Sequence, residues 1–253
     1  MKGKEMVRET LIVLRRQLRM NIRNPVMVIA GMMQPVLYLV LFAPLLQPLM
    51  GEIGGSNYLT LFVPGLLVQL TLFGAAFSGY GIIGEWREGV IESERVTPAS
   101  RTALLVGRVM RDELQLLVQV IILIGLGYAM GMDAQPAQVL IGVVITLLLG
   151  IACASASSAL GLSSKNERSM GSVVNTILMP VVLLSGILLP MQLGPRWLQM
   201  LSNFMPTKYI VDGVRSCFAG DLSATSVLWG GAWAVLLAVL GTWWGTASFR
   251  RDD

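Results

Sequence analysis

The sequence predicts an all-α membrane protein, and two features of its composition and patterning lead to that fold class. Hydrophobic residues make up 54% of the 253 residues and charged residues only 13%, whereas a soluble domain carries about 25% charged residues. Six apolar runs divide the chain, and each is near the roughly 20 residues that a helix needs to cross a bilayer. We therefore expect six transmembrane helices, accompanied by short helices at both membrane surfaces.

Short polar breaks separate the six predicted spans. In chain order the spans are Val26–Met50, Tyr58–Ile83, Leu114–Met130, Ala137–Leu162, Gly171–Leu189 and Ser226–Phe249. The mean hydropathy of the whole chain, +0.68, agrees with this density of apolar segments. The spans form one predicted transmembrane domain over residues 25–253.

The distribution of lysine and arginine predicts the orientation of the spans, because these residues accumulate on the cytoplasmic side. Sixteen of the nineteen basic residues fall before the first span, between the second and third, between the fourth and fifth, or after the sixth. Only Arg196, Lys208 and Arg215 fall on the other side. The pattern predicts a multi-pass protein of the plasma (inner) membrane with both termini in the cytoplasm.

Residues 1–24 form a predicted amphipathic helix at the inner membrane surface. Apolar residues recur at helical spacing and basic residues occupy a neighbouring sector, which is typical of helices that lie in the interface. The apolar positions are Val7, Leu11, Leu14, Leu18 and Ile22. The alternative is a basic flank that only sets the orientation.

Residues 190–222 form the longest break, and their pattern predicts short re-entrant or interfacial helices on the outer side. Two apolar stripes lie between prolines, and each is too short to span the membrane. The residues that mark this outer region are Pro190, Trp197, Pro206 and Tyr209.

The residue inventory excludes several kinds of chemistry. The chain has no histidine, so a Ser-His-Asp triad or a histidine metal site cannot form. No G-x-x-x-x-G-K-[ST] motif occurs in the sequence, so we expect no ATP hydrolysis by a P-loop in this chain. The sequence predicts no bound cofactor or metal. Asp112 and Glu113 are interpreted as surface charges neutralised by Arg108 and Arg111, with a proton relay as the alternative.

The segment Glu85–Arg101, within a predicted coupling loop at residues 84–101, carries the main functional signal. It reads EWREGVIESERVTPASR and contains four glutamates within ten residues. Acidic residues contribute little to membrane orientation, so we interpret them as a docking surface for a cytoplasmic partner. The alternative is a solvated loop. The predicted coupling residues are Glu85, Arg87, Glu88, Gly89, Glu92, Glu94, Thr97, Pro98 and Arg101.

These motifs resemble the permease subunits of ABC-2 type exporters, nearest the daunorubicin-resistance and nodulation-export branch. The family's first cytoplasmic loop carries E-x-x-x-G-x-x-E followed by T-P-x-S-R, matched here by Glu85, Gly89, Glu92, Thr97, Pro98, Ser100 and Arg101. The second span carries the family's Pro-Gly at Pro64-Gly65, and the outer region has its proline, Trp-Leu, asparagine and tyrosine pattern. Asn203-Phe204-Met205-Pro206 departs from the family's usual Asn-Pro.

The resemblance implies a fold and a division of labour. It implies six membrane helices, an N-terminal interfacial helix, a cytoplasmic coupling helix and short outer re-entrant helices. It also implies two copies of a separate P-loop ATPase that bind ATP and Mg, a second permease copy or a homologous permease, and contact with membrane lipids but not nucleic acid. The source implied is bacterial or archaeal.

The function expected from these features is ATP-driven export of a hydrophobic or amphipathic small molecule, such as a drug, an antibiotic or a lipid-like compound. An exporter of a polysaccharide or lipid-linked glycan is the alternative within the same family. Alternatives from other classes are an ion-coupled secondary transporter and a membrane enzyme such as a lipid transferase. The scarcity of ionisable residues within the predicted spans counts against both of these.

Overall fold

The computed structural model describes residues 25–52, 57–90, 101–188, 191 and 194–251. All regular structure within these residues is helical, which confirms the all-α fold class. The helices are α1 (Pro25–Glu52), α2 (Tyr58–Arg87), α3 (Arg101–Ala129), α4 (Pro136–Ser164), α5 (Glu167–Leu184), α6 (Arg196–Ser202), α7 (Pro206–Ala219) and α8 (Thr225–Arg251). The predicted interfacial helix at residues 1–24 lies outside the described residues.

Residues that favour helix ends set several of these boundaries. The Asn57 side chain accepts a hydrogen bond from the Leu59 N–H at 3.1 Å at the start of α2. Pro136 occupies the first turn of α4, where a helix does not need its missing N–H. Lys165 adopts a left-handed conformation with φ of 49° after α4, and the chain then reverses into α5. These signals keep the long helices separate.

Contacts between helix ends define two ends of the bundle. At one end, which we name the coupling end, Arg108 of α3 pairs with Glu85 of α2, and Arg87 of α2 pairs with Glu167 of α5. At the opposite end, the Asn57 side-chain amide before α2 donates to the Gly131 carbonyl after α3 at 2.5 Å. Consecutive helices from α2 to α5 therefore alternate in direction, as consecutive membrane spans do.

Helices α2 and α4 form the centre of the bundle and pack closely on each other through small residues. A Cβ atom placed on Gly161 of α4 would lie 2.4 Å from the Gly79 carbonyl oxygen of α2, so the two backbones touch there. Gly241 of α8 meets Ala152 of α4 in the same way, with 2.5 Å to its carbonyl oxygen. Small residues at such crossings allow the close van der Waals packing that holds membrane helices together.

Large apolar side chains cover much of the outer surface of the bundle. Examples that are about half or more exposed are Leu45, Ile121, Leu140, Leu183 and Val239. A soluble monomer rarely exposes apolar surface on this scale. This surface fits contact with lipid or with other membrane helices.

Among the residues that the structure describes, three helical segments are long and apolar enough to cross a membrane: Tyr58–Arg87, Pro136–Ser164 and Thr225–Ser248. Helix α1 adds a shorter apolar stretch, Gly31–Phe42. The multi-pass character is thus confirmed, and the number of six spans stays a prediction. Helices α3 and α5 are not among these segments, and both carry charged residues near their starts.

Candidate functional site

The predicted coupling residues begin at the end of α2. Helix α2 runs to Arg87, where Glu88 caps it by donating its N–H to the Gly84 carbonyl at 3.0 Å. Gly89 follows with φ of +71°, a left-handed conformation that favours glycine. The first four positions of the predicted loop, residues 84–87, are therefore helical, and the helix ends just before the left-handed Gly89.

Glu85 is held inside the helix bundle by an ion pair with Arg108. The Nε and Nη2 atoms of Arg108 both lie 2.7 Å from Glu85 Oε2. The Arg108 side chain is 2% exposed and the Glu85 side chain 12% exposed. Separating the partners of a buried pair is strongly unfavourable, because an uncompensated buried charge remains. The pair therefore fastens α2 to α3 on either side of residues 88–100.

A chain of polar contacts extends this ion pair towards α4. Arg111 of α3 lies 3.9 Å from Glu85 Oε1 and donates to Asp112 Oδ1 at 2.8 Å. The Ser78 hydroxyl of α2 donates to the other oxygen of Asp112 and lies 3.4 Å from the Ser158 hydroxyl of α4. Three helices are thus joined through polar side chains within the bundle.

The interpretation of Asp112 and Glu113 as neutralised surface charges is wrong. Helix α3 begins at Arg101, not near Leu114, and this extension packs its charged turns against α2 and α4. Asp112 is neutralised by Arg111, but inside the bundle. Glu113 faces Gly150 of α4, and its Oε2 is buried without a hydrogen bond among the described residues.

A second, more exposed set of contacts joins the end of α2 to the start of α5. Arg87 Nη1 lies 2.7 Å from Glu167 Oε1, and both side chains are about half exposed. The Lys165 ammonium lies 5.7 Å from the centre of the Trp86 ring. Exposed ion pairs contribute little to stability, so we expect these contacts to position the start of α5 without adding much to the stability of the bundle.

The other predicted coupling residues divide into two groups. Glu88 is exposed and Gly89 is partly exposed at the coupling end. Glu92, Glu94, Thr97 and Pro98 lie outside the described residues, as does the side chain of Arg101, which begins α3. The docking role of this set stays a prediction. Glu85 and Arg87 instead form ion pairs within the protein, with Arg108 and Glu167 respectively.

The outer-region residues lie at the opposite end of the bundle. Trp197 on α6 is 63% exposed, and Pro206 begins α7. The Tyr209 ring stacks on Trp233 of α8 with 6.3 Å between ring centres, and its hydroxyl donates to the Asn203 carbonyl at 3.0 Å. Pro190 lies outside the described residues. The short helices α6 and α7 therefore occupy the region where the sequence predicts them.

Sequence reasoning did not single out Arg108 or Ser78 as members of a network, or the buried Arg215. One signal was available for Arg108. Glu85 lies near the end of the apolar run that precedes the segment 88–100, and Arg108 lies in the apolar run Leu104–Met110 that follows this segment. Opposite charges at such mirrored positions predict a pair between two antiparallel helices.

Comparison with known proteins identifies the family to which this arrangement belongs. Residues 8–219 match the ABC-2 type transporter family. A protein of Cyanophora paradoxa named as a transport permease, ycf38, is 27% identical over 217 residues, which cover 84% of this chain and 75% of the relative.

Two bacterial relatives carry names from drug resistance. The daunorubicin resistance ABC transporter permease protein DrrB1 of Streptomyces coeruleorubidus is 23% identical, over 78% of this chain and 70% of the relative. A Mycobacterium tuberculosis protein named as a doxorubicin resistance ABC transporter permease, DrrC, is 22% identical, over 85% of this chain and 78% of the relative. The family match covers most of the chain, so the chain belongs to the ABC-2 type transporter family.

Proposed function

We propose that this chain is the transmembrane subunit of an ABC exporter and that a separate P-loop ATPase subunit drives it. The observation that carries this proposal is the buried Glu85–Arg108 pair, which fastens α2 to α3 at the two ends of residues 88–100. A partner that moves this segment would displace both helices together instead of bending one of them. The segment is thus suited to receive a mechanical input.

The polar network supplies a route for that movement into the bundle. Breaking a buried ion pair costs about 3–5 kcal/mol, so the Glu85–Arg108 pair stays intact under small displacements. Asp112 and Ser78 extend the connection to Ser158 of α4. Since α4 also packs on α8 through Gly241, a movement at the coupling segment would reach most of the bundle.

The energy source in this proposal is a partner protein. The chain contains no P-loop motif, and ABC-2 type permeases are not catalytic themselves. ATP and Mg would therefore bind to two copies of an ATPase subunit at the coupling end. A second permease copy, or a homologous permease, would complete the transport path.

The topology proposed for this subunit is six spans with the coupling end in the cytoplasm. The distribution of basic residues supports this orientation, and residues 1–24 would lie at the inner surface. We propose residues 25–253 as the transmembrane domain. The plasma membrane of a bacterium or archaeon stays a prediction, because the relatives include proteins of algal plastids as well as bacterial proteins.

The substrate class we propose is a hydrophobic or amphipathic small molecule. Two relatives are named for resistance to daunorubicin and doxorubicin, and α1, α5 and α8 all expose large hydrophobic side chains. Daunorubicin is therefore the first probe to test.

The proposal predicts that charge reversal at Glu88 and Glu92 uncouples the chain from its ATPase. Glu88→Lys/Glu92→Lys should insert normally, since positive charge is favoured on the cytoplasmic side. Misplaced like charges at an interface cost several kcal/mol, so ATPase binding and transport should fall together. The measurements are copurification of a P-loop ATPase from membranes and ATP-driven daunorubicin uptake by inverted vesicles.

The matched control reverses the same number of acidic residues at the C-terminus, as Asp252→Lys/Asp253→Lys, and should keep wild-type binding and uptake. Normal ATPase binding and uptake by the Glu88/Glu92 variant would show that the docking assignment is wrong. If the wild-type complex retains its ATPase but never accumulates daunorubicin, the proposed substrate class is contradicted, and lipid-linked glycans become the next probe.

A further inference from the structure

Helix α5 is fastened to the rest of the bundle mainly at its two ends. Along its 18 residues, only Met170 and Val182 are buried. Its exposed side chains include large apolar ones, with Ile177 53% exposed and Leu183 63% exposed, and polar ones such as Asn175. A helix with so little buried surface along its length depends on its end contacts for its position.

At the opposite end of the bundle, Arg215 of α7 joins the chain after α5 to α2. Its Nη2 donates to the Ile187 carbonyl at 2.9 Å and its Nε donates to the Leu61 carbonyl at 3.1 Å. Arg215 is only 9% exposed. A buried cation is costly unless its donors are hydrogen-bonded, and here the donors of Arg215 bridge two separate segments.

Two further contacts complete this joint. The Ser185 hydroxyl, just after α5, is hydrogen-bonded to the Thr207 hydroxyl at the start of α7. A Cβ atom placed on Gly65 of α2 would lie 2.1 Å from the Ile187 carbonyl oxygen, so backbone meets backbone there. We name the set Leu61, Ser185, Ile187, Thr207 and Arg215 the clasp.

The clasp combines one close backbone contact, at Gly65, with hydrogen bonds, whereas α7 is held to α8 along residues 209–216 and 226–233. The hydrogen bonds of the clasp come from Arg215 and from the pair of hydroxyls, and water can replace such bonds at a modest net cost. Helices α7 and α8 instead interlock at Gly213 and Gly230, where a Cβ atom on either residue would lie 3.1 Å from the Cα of the other. The clasp can therefore open while α7 stays on α8.

We propose that Arg215 is the positioning residue of a clasp that holds the outer end of α5 against α2 and releases it in each transport cycle. This rests on the proposed function, because release needs the ATP-driven movement that the coupling end receives. Helix α5 would then swing about its contacts at the coupling end, while α4, α7 and α8 keep their packing.

Paired cysteines test the release directly. Ser185→Cys/Thr207→Cys reports on the clasp, and Ser216→Cys/Ser226→Cys, whose wild-type hydroxyls lie 2.6 Å apart, reports on the α7–α8 contact. Both pairs are introduced in a Cys153→Ala/Cys217→Ala background and purified with the native ATPase. The rate of disulfide formation under a mild oxidant is measured without nucleotide and during turnover of Mg-ATP.

We expect turnover to slow cross-linking of the 185–207 pair about tenfold and to leave the 216–226 pair unchanged. An equal rate for the 185–207 pair in both conditions would overturn the proposal. So would a failure of this pair to cross-link without nucleotide, because the closed clasp places the two residues in contact. Neither result depends on the transported substrate, so a failed daunorubicin assay leaves this test valid.

Substitution of Arg215 tests its role as the positioning residue. Arg215→Gln should make cross-linking of the 185–207 pair slow even without nucleotide, and Arg215→Lys should restore part of the wild-type rate because it keeps a charged donor. The 216–226 pair serves as the folding control in both variants. If Arg215→Gln leaves cross-linking of the 185–207 pair as fast as in wild type, Arg215 does not position α5.

Discussion

At the scale of single residues, the most informative feature is the pairing of charged side chains inside the bundle. Arg108 is 1% exposed and is paired with Glu85, and Asp112 takes hydrogen bonds from Arg111 and Ser78. Charges of this kind are rare inside membrane proteins and mark functional positions. Their location at the ends of α2 and α3 connects them with the segment that we assign to ATPase docking.

Removal of one partner of the Glu85–Arg108 pair should destabilise the protein strongly. Arg108→Met leaves the Glu85 carboxylate buried without its main partner, and loss of one partner typically costs about 3–5 kcal/mol. The double variant Glu85→Gln/Arg108→Met should cost less than the Arg108 variant alone. The measurement is the free energy of unfolding in detergent.

The control for this prediction is Arg87→Gln, which breaks the exposed pair with Glu167 and should cost at most about 1 kcal/mol. The account of the buried pair fails if Arg108→Met costs no more than Arg87→Gln.

The sequence singled out Glu85 as a functional residue, but it did not predict the ion pair with Arg108. The glutamate-rich segment singles out Glu85 as one member of a docking set. Local periodicity does not reveal a partner 23 residues away in α3, because the contact depends on how two helices cross; only the opposite charges on the two sides of the segment indicate it. For the same reason Arg215 was counted only as one of three outer basic residues, although it is almost fully buried.

At the scale of helices, the apolar runs predicted the existence and order of the elements well. Each predicted span corresponds to one long helix, and α6 and α7 occupy the predicted outer region. The boundaries were less accurate at the charged ends. Helix α3 starts thirteen residues before its predicted apolar run, because its charged first half is paired within the bundle and stays helical.

The alternation of helix directions predicts which exposed positions lie on each side of the membrane. Ser169 at the start of α5 and Ser223 between α7 and α8 are both exposed, at the coupling end and at the opposite end respectively. In a background without Cys153 and Cys217, an impermeant thiol reagent added to intact cells should label Ser223→Cys and spare Ser169→Cys. Permeabilised cells, in which both positions should react, provide the control. Labelling of Ser169→Cys alone in intact cells would reverse the proposed orientation.

At the scale of the whole molecule, the bundle consists of a tightly packed centre and one lightly attached helix. Helices α2, α4 and α8 meet through small residues at close range, whereas α5 is held by an exposed ion pair at the coupling end and by the clasp at the opposite end. Such an arrangement can transmit a movement from one end to the other without losing its core. This fits a machine whose energy source is a partner protein.

The central claim is this division of labour, and the ATPase activity of the purified chain tests it most directly. The chain purified alone and reconstituted in nanodiscs should show no hydrolysis of Mg-ATP above that of empty nanodiscs, because it contains no P-loop. The complex purified with its native P-loop ATPase should hydrolyse Mg-ATP, and removal of that subunit should abolish the activity. Sustained hydrolysis by the chain alone, after contaminating ATPases have been excluded, would contradict the account.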